Sequence, residues 1–290
     1  MSLTNSYELC EKIARTRARN FYFSFLPLPA VKRRSMCAIY AFMRYCDDIA
    51  DDASISDRAG QMAQWRAALR RLADGDTSSH PMMPAVYDTI GRYGVPLEYF
   101  EEVMNGAEMD LSVQRYQTFA DLYKYCYRVA SAVGLTCLRV FGCEGERAVQ
   151  LGESCGIAFQ LTNIIRDVRE DASEGRIYLP QEDLERFGCS EERLNSPTMD
   201  PSLVPLMEFE AGRAQEYYEK AMPLIGMADR DSRASLSAMI CIYHGLLHQI
   251  RQQGYDVFKR RVSLPTTRKL GIAACCWLAP QRAVEREVLS

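Results

Sequence analysis

Apolar residues recur along this chain at spacings of three and four, and no run alternates convincingly with a period of two. The first spacing marks one face of a helix, whereas alternation marks a half-buried strand. The pattern predicts helices over 6–19, 31–51, 58–72, 84–93, 97–113, 119–141, 144–170, 205–222 and 232–252. In the first of these Leu9, Ile13 and Ala14 share a side, and Ser56 or Asp57 is placed to cap the third. Pro27 and Pro29 break the chain, and Asp74 to Pro84, with Gly75, Ser78, Ser79 and Pro81, is the clearest loop. Asp171 to Asp200, punctuated by Gly175, Pro180, Gly188 and Pro197, reads as an irregular connector. No Pro/Ser-rich linker separates modules. The expected fold is therefore all-α, a single helical bundle over residues 1–290 with its site in a central cavity, where bundles build their ligand sites.

Two of these helices run from apolar sequence into acid. Met36 to Met43 leads into Asp47-Asp48-Ile49-Ala50-Asp51-Asp52, and Gly156 to Thr162 leads into Asn163-Ile164-Ile165-Arg166-Asp167 and on to Asp171. Asp47 with Asp51, Asp48 with Asp52, and Asn163 with Asp167 and Asp171 are each four apart, hence stacked on one helix face. Like charges so placed destabilise a helix by a few tenths of a kcal/mol per pair. A solvated acidic face is one reading. The apolar stretches that precede both clusters favour another, since helices apolar on nearly all sides are buried and buried carboxylates need a partner. Divalent cations held by one or two carboxylates, water and substrate phosphate fit this need, which makes Asp47, Asp48, Asp51, Asn163, Asp167 and Asp171 candidate ligands for Mg2+. An EF-hand does not fit, because the first cluster has no Gly at its sixth position.

Composition narrows the class. A net charge of −3 argues against a nucleic-acid partner, which calls for a basic face. The eleven cysteines contain no C-x-x-C pair and are accompanied by three His, so neither a disulfide framework nor a zinc site is expected; the reading is reduced thiols in a cytosolic protein. No run approaches the ~18 apolar residues of a membrane span, and the N-terminus lacks the order of a secretory signal.

Cations accompany the acids. Arg44 and Arg166 adjoin the two clusters, Arg15, Arg17 and Arg19 precede Asn20-Phe21-Tyr22, and Lys259-Arg260-Arg261 follows Tyr255. Each has a structural reading, as neutralisation of a carboxylate or as a solvated face. Together they suggest a polyanionic substrate such as a diphosphate. Ala130, Ser131, Ala132 and Gly134, with Gly156 and Ala158, are small enough either for close helix packing or for lining a long apolar tunnel.

With these motifs in this order, the chain resembles the squalene/phytoene synthase family from about Asn20 to Val262. Asp47 to Asp51 is similar to that family's first Asp-rich motif, Asn163 to Asp171 to its second, and Tyr125 to Gly134 to its tyrosine-and-small-residue helix. The resemblance implies the all-α isoprenoid synthase fold and Mg2+-dependent head-to-head condensation of two prenyl diphosphates. It implies metal ligation by Asp47, Asp51, Asn163, Asp167 and Asp171, and places Asn20, Phe21, Tyr40, Arg44, Arg166 and Tyr255 near the diphosphates. It further implies Tyr125 as a residue handling protons or the cation, Gln160 as a polar residue of the cavity, and the segment from Val129 to Gly134 as part of the substrate-binding wall. Most members show Val-Ala-Gly where this chain has Val129-Ala130-Ser131-Ala132-Val133-Gly134. The Ser131 departure resembles bacterial presqualene diphosphate synthases of hopanoid pathways, so that two farnesyl diphosphates joined to presqualene diphosphate is the expected reaction. Phytoene synthase, one-step NADPH-dependent squalene synthase and a non-catalytic prenyl-diphosphate-binding protein are the alternatives. Because such substrates carry long apolar tails, reversible contact with the inner membrane face is expected, through Lys259-Arg260-Arg261 or the Trp277-containing stretch Leu270 to Pro280.

Overall fold

Helix starts and stops follow local chemistry. Side-chain oxygens of Ser2, Asp57 and Thr118 accept the orphan N–H groups of Asn5, Gly60 and Asp121 at three helix N-termini. Gly94 and Gly142 end helices in the left-handed conformation, with φ of 57° and 73°. The computed structural model describes residues 1–18, 21–52 and 54–289. Its helices are α1 (Leu3–Arg17), α2 (Phe21–Phe25), α3 (Ala30–Asp51), α4 (Arg58–Ala73), α5 (Met83–Tyr93), α6 (Leu97–Ser112), α7 (Phe119–Cys126), α8 (Ala132–Phe141), α9 (Glu146–Ser173), α10 (Gln181–Arg186), α11 (Glu191–Leu194), α12 (Val204–Ala221), α13 (Leu224–Met227), α14 (Arg233–Gln252), α15 (Thr266–Leu278) and α16 (Pro280–Val288). No strand occurs among the described residues; Arg115 and Ile177 form an isolated bridge.

The two helices with apolar stretches before their acidic ends, α3 and α9, lie inside together with α14, most of whose residues are buried. α3 packs on α1, α4, α5, α6 and α8; α9 packs on α8, α12 and α14. Aromatic side chains fill the space between them. Phe42 of α3 stacks on Trp65 of α4 at 5.1 Å and meets Phe100 of α6 edge-on at 5.0 Å. Two buried polar pairs tie the inner helices to α12: Thr162 of α9 hydrogen-bonds Tyr218 at 2.8 Å, and His244 of α14 bonds Gln215 at 2.8 Å. The eleven cysteines are free thiols, and all but Cys275 are buried. No described helix is long and apolar enough to cross a membrane.

Three departures from the sequence pattern bear on function. The helix expected over 119–141 is interrupted by a π-helical turn, Tyr127–Ser131, between α7 and α8. Such single turns widen the helix locally and are common at functional sites. The connector expected to be irregular over 171–200 contains α10 and α11, and its start is still α9. Beyond residue 252 the chain forms α15 and α16, where only an apolar stretch was legible.

Candidate active site

One apolar cavity of about 290 Å³ runs between α3, the π turn with α8, and α9. Helix periodicity explains who lines it. From α3 come Met36, Ile39, Tyr40, Met43, Arg44 and Asp47; from α9 come Gly152, Cys155, Gly156, Phe159, Gln160 and Asn163. Both sets step by three and four, so each is one face of its helix. Along both helices the earlier turns give apolar lining and the later turns polar lining, over ~16 Å of helix rise. The π turn and α8 close the third side with Val129, Ala130, Val133 and Gly134, and α2 contributes Phe21 and Phe25. Close helix contact makes this wall possible. A Cβ on Gly156 would stand 2.4 Å from the Ser131 Cα, and one on Gly106 would stand 2.7 Å from a Val129 methyl. Ser131 itself faces α9: it is fully buried, donates to the Glu153 carbonyl at 2.8 Å, and is not part of the cavity lining.

At the polar end the carboxylates fall into two electrostatic states. Asp48 and Asp167 are neutralised by arginine. Asp48 accepts from Arg44 at 2.6 and 2.8 Å and from Arg17 at 2.8 Å. Asp167 accepts from Arg166 and, at 2.7 and 2.9 Å, from Arg261. These bonds outweigh burial and hold the Asp167 carboxyl below its usual range. Asp47 and Asp171 have no such clamp. Asp47 lines the cavity with its side chain open to solvent, and what desolvation the surrounding helices impose raises its carboxyl against the pull of Arg44. Desolvation and the neighbouring Asp167 charge push Asp171 up to about 7. Arg176 lies between the two acidic helices, 3.6 Å from Asp51 of α3 and close enough to Asp171 to lower its carboxyl.

The donor set suits a hard cation. The Asn163 Oδ1 is buried without a hydrogen-bond partner while its Nδ2 donates to Gln160 at 3.3 Å, and Asp47 and Asp171 are anions short of compensating charge. No group of three or more His, Cys, Asp or Glu side chains among the described residues makes a ready-made cage.

The structure thus gathers Phe21, Tyr40, Arg44, Asp47, Tyr125, Val129, Gly134, Gln160 and Asn163 around one cavity. Asp51, Asp167 and Asp171 lie outside the lining; Arg176 links two of them, 3.6 Å from Asp51 and close to Asp171. Asp48 turns its carboxylate to Arg44 and Arg17, away from the lining, because that double pairing satisfies it. Arg166 opens to an adjoining basic cleft of about 310 Å³ with Arg169, Arg260 and Arg261. Tyr255 is not brought to the cavity: it is buried in a left-handed turn after α14, with φ of 63°, beside Arg251. Asn20 lies outside the described residues. Sequence reasoning gave no role to Asp110, Tyr178 or Arg176, and it offered Arg261 only as one of a run of cations suited to a polyanion. Asp110 on α6 lines the cavity and accepts from the Tyr178 hydroxyl at 2.8 Å; Tyr125 stacks on Tyr178 at 5.0 Å and lines the same cavity. Burial and the Asp110 charge push the Tyr125 hydroxyl well above its ordinary range, so it stays protonated.

The signature of squalene/phytoene synthase matches residues 14–268. This chain belongs to the squalene/phytoene synthase family. As a member of it, the chain is 38% identical to the 15-cis-phytoene synthase of Synechococcus elongatus, over 93% of this chain and 91% of that one. It is 37% identical to the phytoene synthase of Mycobacterium tuberculosis, over 94% and 90%. Its fold superposes on a crystallised dehydrosqualene synthase with a TM-score of 0.88 at 30% identity, covering 94% of this chain and 95% of that one. The squalene synthase HpnC from Alicyclobacillus acidocaldarius superposes with a TM-score of 0.81 at 28% identity, over 87% and 95%. The family is one of prenyltransferases that bind prenyl diphosphates, and the helical architecture is the isoprenoid synthase fold.

Proposed function

We propose that this enzyme joins two prenyl diphosphates head to head inside the cavity between α3 and α9. The observation that carries the reading is the meeting of Asp47 from one acidic helix and Asn163 from the other at the polar end of one apolar cavity. Asp47, Asp51, Asn163, Asp167 and Asp171 are the residues that would hold Mg2+. When bound, Mg2+ supplies charge neutralisation to a diphosphate as it departs.

The chain's own groups account for the rest. Arg44, Arg166 and Arg261 carry forked N–H donors matched to phosphate oxygens. Phe21, Tyr40 and Phe159 present aromatic surface along the cavity, where an allylic cation gains from a ring face and from exclusion of water. The new carbon–carbon bond forms as one carbon–oxygen bond to diphosphate breaks, and loss of a proton closes the cyclopropane. Tyr125 is held protonated, so it orients by donating, and the departing diphosphate takes the proton.

The relatives named phytoene synthase favour geranylgeranyl diphosphate as substrate and phytoene as product. Presqualene diphosphate from two farnesyl diphosphates is the second reading, supported by likeness to squalene synthase HpnC. Ser131, the sequence feature behind that second reading, packs on α9 and has no contact with the cavity.

The purified enzyme, given Mg2+ and each prenyl diphosphate separately, with and without NADPH, tests this by mass spectrometry of products and by counting released inorganic diphosphate. Phytoene requires two diphosphates released per pair of geranylgeranyl diphosphates. Presqualene diphosphate requires one per pair of farnesyl diphosphates. Release with only prenyl alcohols as products would overturn the proposal.

A further inference from the structure

Helix α15 packs on α14, α16 and α2 through an inner side that buries Lys269, Ala273 and Cys276. Every exposed residue on it is uncharged. Leu270, Ala274, Trp277 and Leu278 fall at i, i+4, i+7 and i+8, so they make one stripe. Trp277 and Leu278 are 70% and 78% exposed. The chain's other tryptophan, Trp65, is buried against Phe42, so exposure of a tryptophan is not the habit of this protein.

Charge identifies what such a stripe faces. The chain from Asp256 to Leu289 carries seven Lys and Arg against Asp256 and two Glu, within a protein of net charge −3; Lys259 pairs with Asp256, Arg261 pairs with Asp167 and Lys269 is buried, which leaves Arg260, Arg282 and Arg286 as exposed cations outside those pairs. Lys259 and Arg260 before α15, and Arg282 and Arg286 on α16, are exposed. A two-fold pairing of copies through this face would set those cations against their equivalents. An anionic bilayer instead accepts both features, with Trp and Leu at headgroup depth and Lys and Arg on lipid phosphates.

We infer that α15 with its basic flanks is a docking face for an anionic membrane surface. The inference takes its purpose from the prenyl diphosphate reading, since a substrate or product with a long apolar tail exchanges with a bilayer. The surface itself does not depend on that reading. α15 lies behind a wall of the cavity, because α2 and α14, on which it packs, supply Phe21, Phe25, Leu236 and Met239 to the lining.

The full chain without substrate is titrated with vesicles of phosphatidylcholine and with vesicles of phosphatidylcholine and phosphatidylglycerol, following tryptophan emission and co-sedimentation. Trp65 is buried, so a change reads Trp277. The expected result is a blue shift and at least ~tenfold tighter partition onto the anionic vesicles, the effect of one or two surface cations, fading with salt. Trp277→Ser with Leu278→Ser should lose that binding while product formation from detergent-dispersed substrate persists. Arg282→Glu with Arg286→Glu serves as a second variant should the first fail to fold, and should also weaken binding to the anionic vesicles. No shift with anionic vesicles at low salt, or equal partition onto neutral ones, overturns the inference. So does a dimer in solution whose Trp277 emission is already blue-shifted. Binding by a chain that forms no condensed product would leave the docking face standing and remove the catalytic reading instead.

Discussion

Two alanine substitutions on neighbouring helices should have opposite effects. A Cβ at Gly156 meets the Ser131 Cα at 2.4 Å and the Ser131 N at 2.6 Å. Ordinary carbon contacts lie at ~3.5–4.0 Å, so the overlap is about an ångström or more. Both atoms are backbone, and no rotamer change relieves it; α9 and the π turn must separate. Overpacking of this kind costs about 1–3 kcal/mol, here at the upper end, and loss of the Ser131–Glu153 bond adds about 1. Better helix propensity returns up to ~1 kcal/mol. The net expectation for Gly156→Ala is a loss of about 2–3 kcal/mol. At Gly134 the nearest atom to a new Cβ is the Gly152 carbonyl oxygen at 3.7 Å, an ordinary contact. Gly134→Ala should therefore gain ~0.5–1 kcal/mol while placing a methyl beside the cavity and slowing condensation. Urea unfolding followed by far-ultraviolet circular dichroism, with turnover measured on the same preparations, separates stability from activity. A Gly156→Ala enzyme as stable as wild type would refute the close approach of α9 to the π turn.

Other outcomes follow from the electrostatics. Asp47→Asn should abolish turnover yet leave thermal stability unchanged or raised, because it removes an unclamped anion; retained turnover at saturating Mg2+ would contradict this. Asp167→Asn should also abolish turnover but lower stability, since it leaves the mostly buried Arg166 facing a neutral partner; a rise in the unfolding midpoint would count against the clamp. Glu210 is buried beside Asp183 and Arg213, and desolvation raises its carboxyl from 4.5 to about 7. A raised carboxyl contributes stability below its unfolded value that is lost as pH rises to its folded one. Glu210→Gln should therefore show a shallower fall in melting temperature between pH 4.5 and pH 7 than wild type, and an identical slope would remove Glu210 as a cause.

Much of the site was legible because its chemistry repeats locally. Carboxylates four apart at the ends of apolar helices mark α3 and α9 without any tertiary knowledge, and the lining of the cavity keeps the same helical step. Asp110 and Tyr178 carry no such signal. Each is a single polar residue on a segment with no repeating chemistry, and only packing of α6 and of the chain after α9 brings them together. Arg261 was legible as one of three consecutive cations, but its pairing with Asp167 is set by the loop after α14. The π turn was invisible because widening one turn changes neither composition nor apolar spacing enough to see. Ser131 was read by resemblance, as a departure from the family's Val-Ala-Gly pattern; the structure places it against α9, where its small side chain lets Gly156 approach. Tyr255, placed near the diphosphates by resemblance, lies outside the cavity lining, because the left-handed turn after α14 sets it beside Arg251.

The central claim is that the two acidic helices serve one diphosphate site. A crystal grown with Mn2+ and an inert thio-diphosphate analogue of a prenyl substrate, recorded at a wavelength where manganese scatters anomalously, tests it most directly. The account predicts manganese between α3 and α9, with Asp47 and the now unpartnered Asn163 Oδ1 among its ligands and the analogue's tail along the cavity. Manganese and diphosphate held instead in the basic cleft of Arg169 and Arg260, with Asp47 and Asn163 left unliganded, would contradict it.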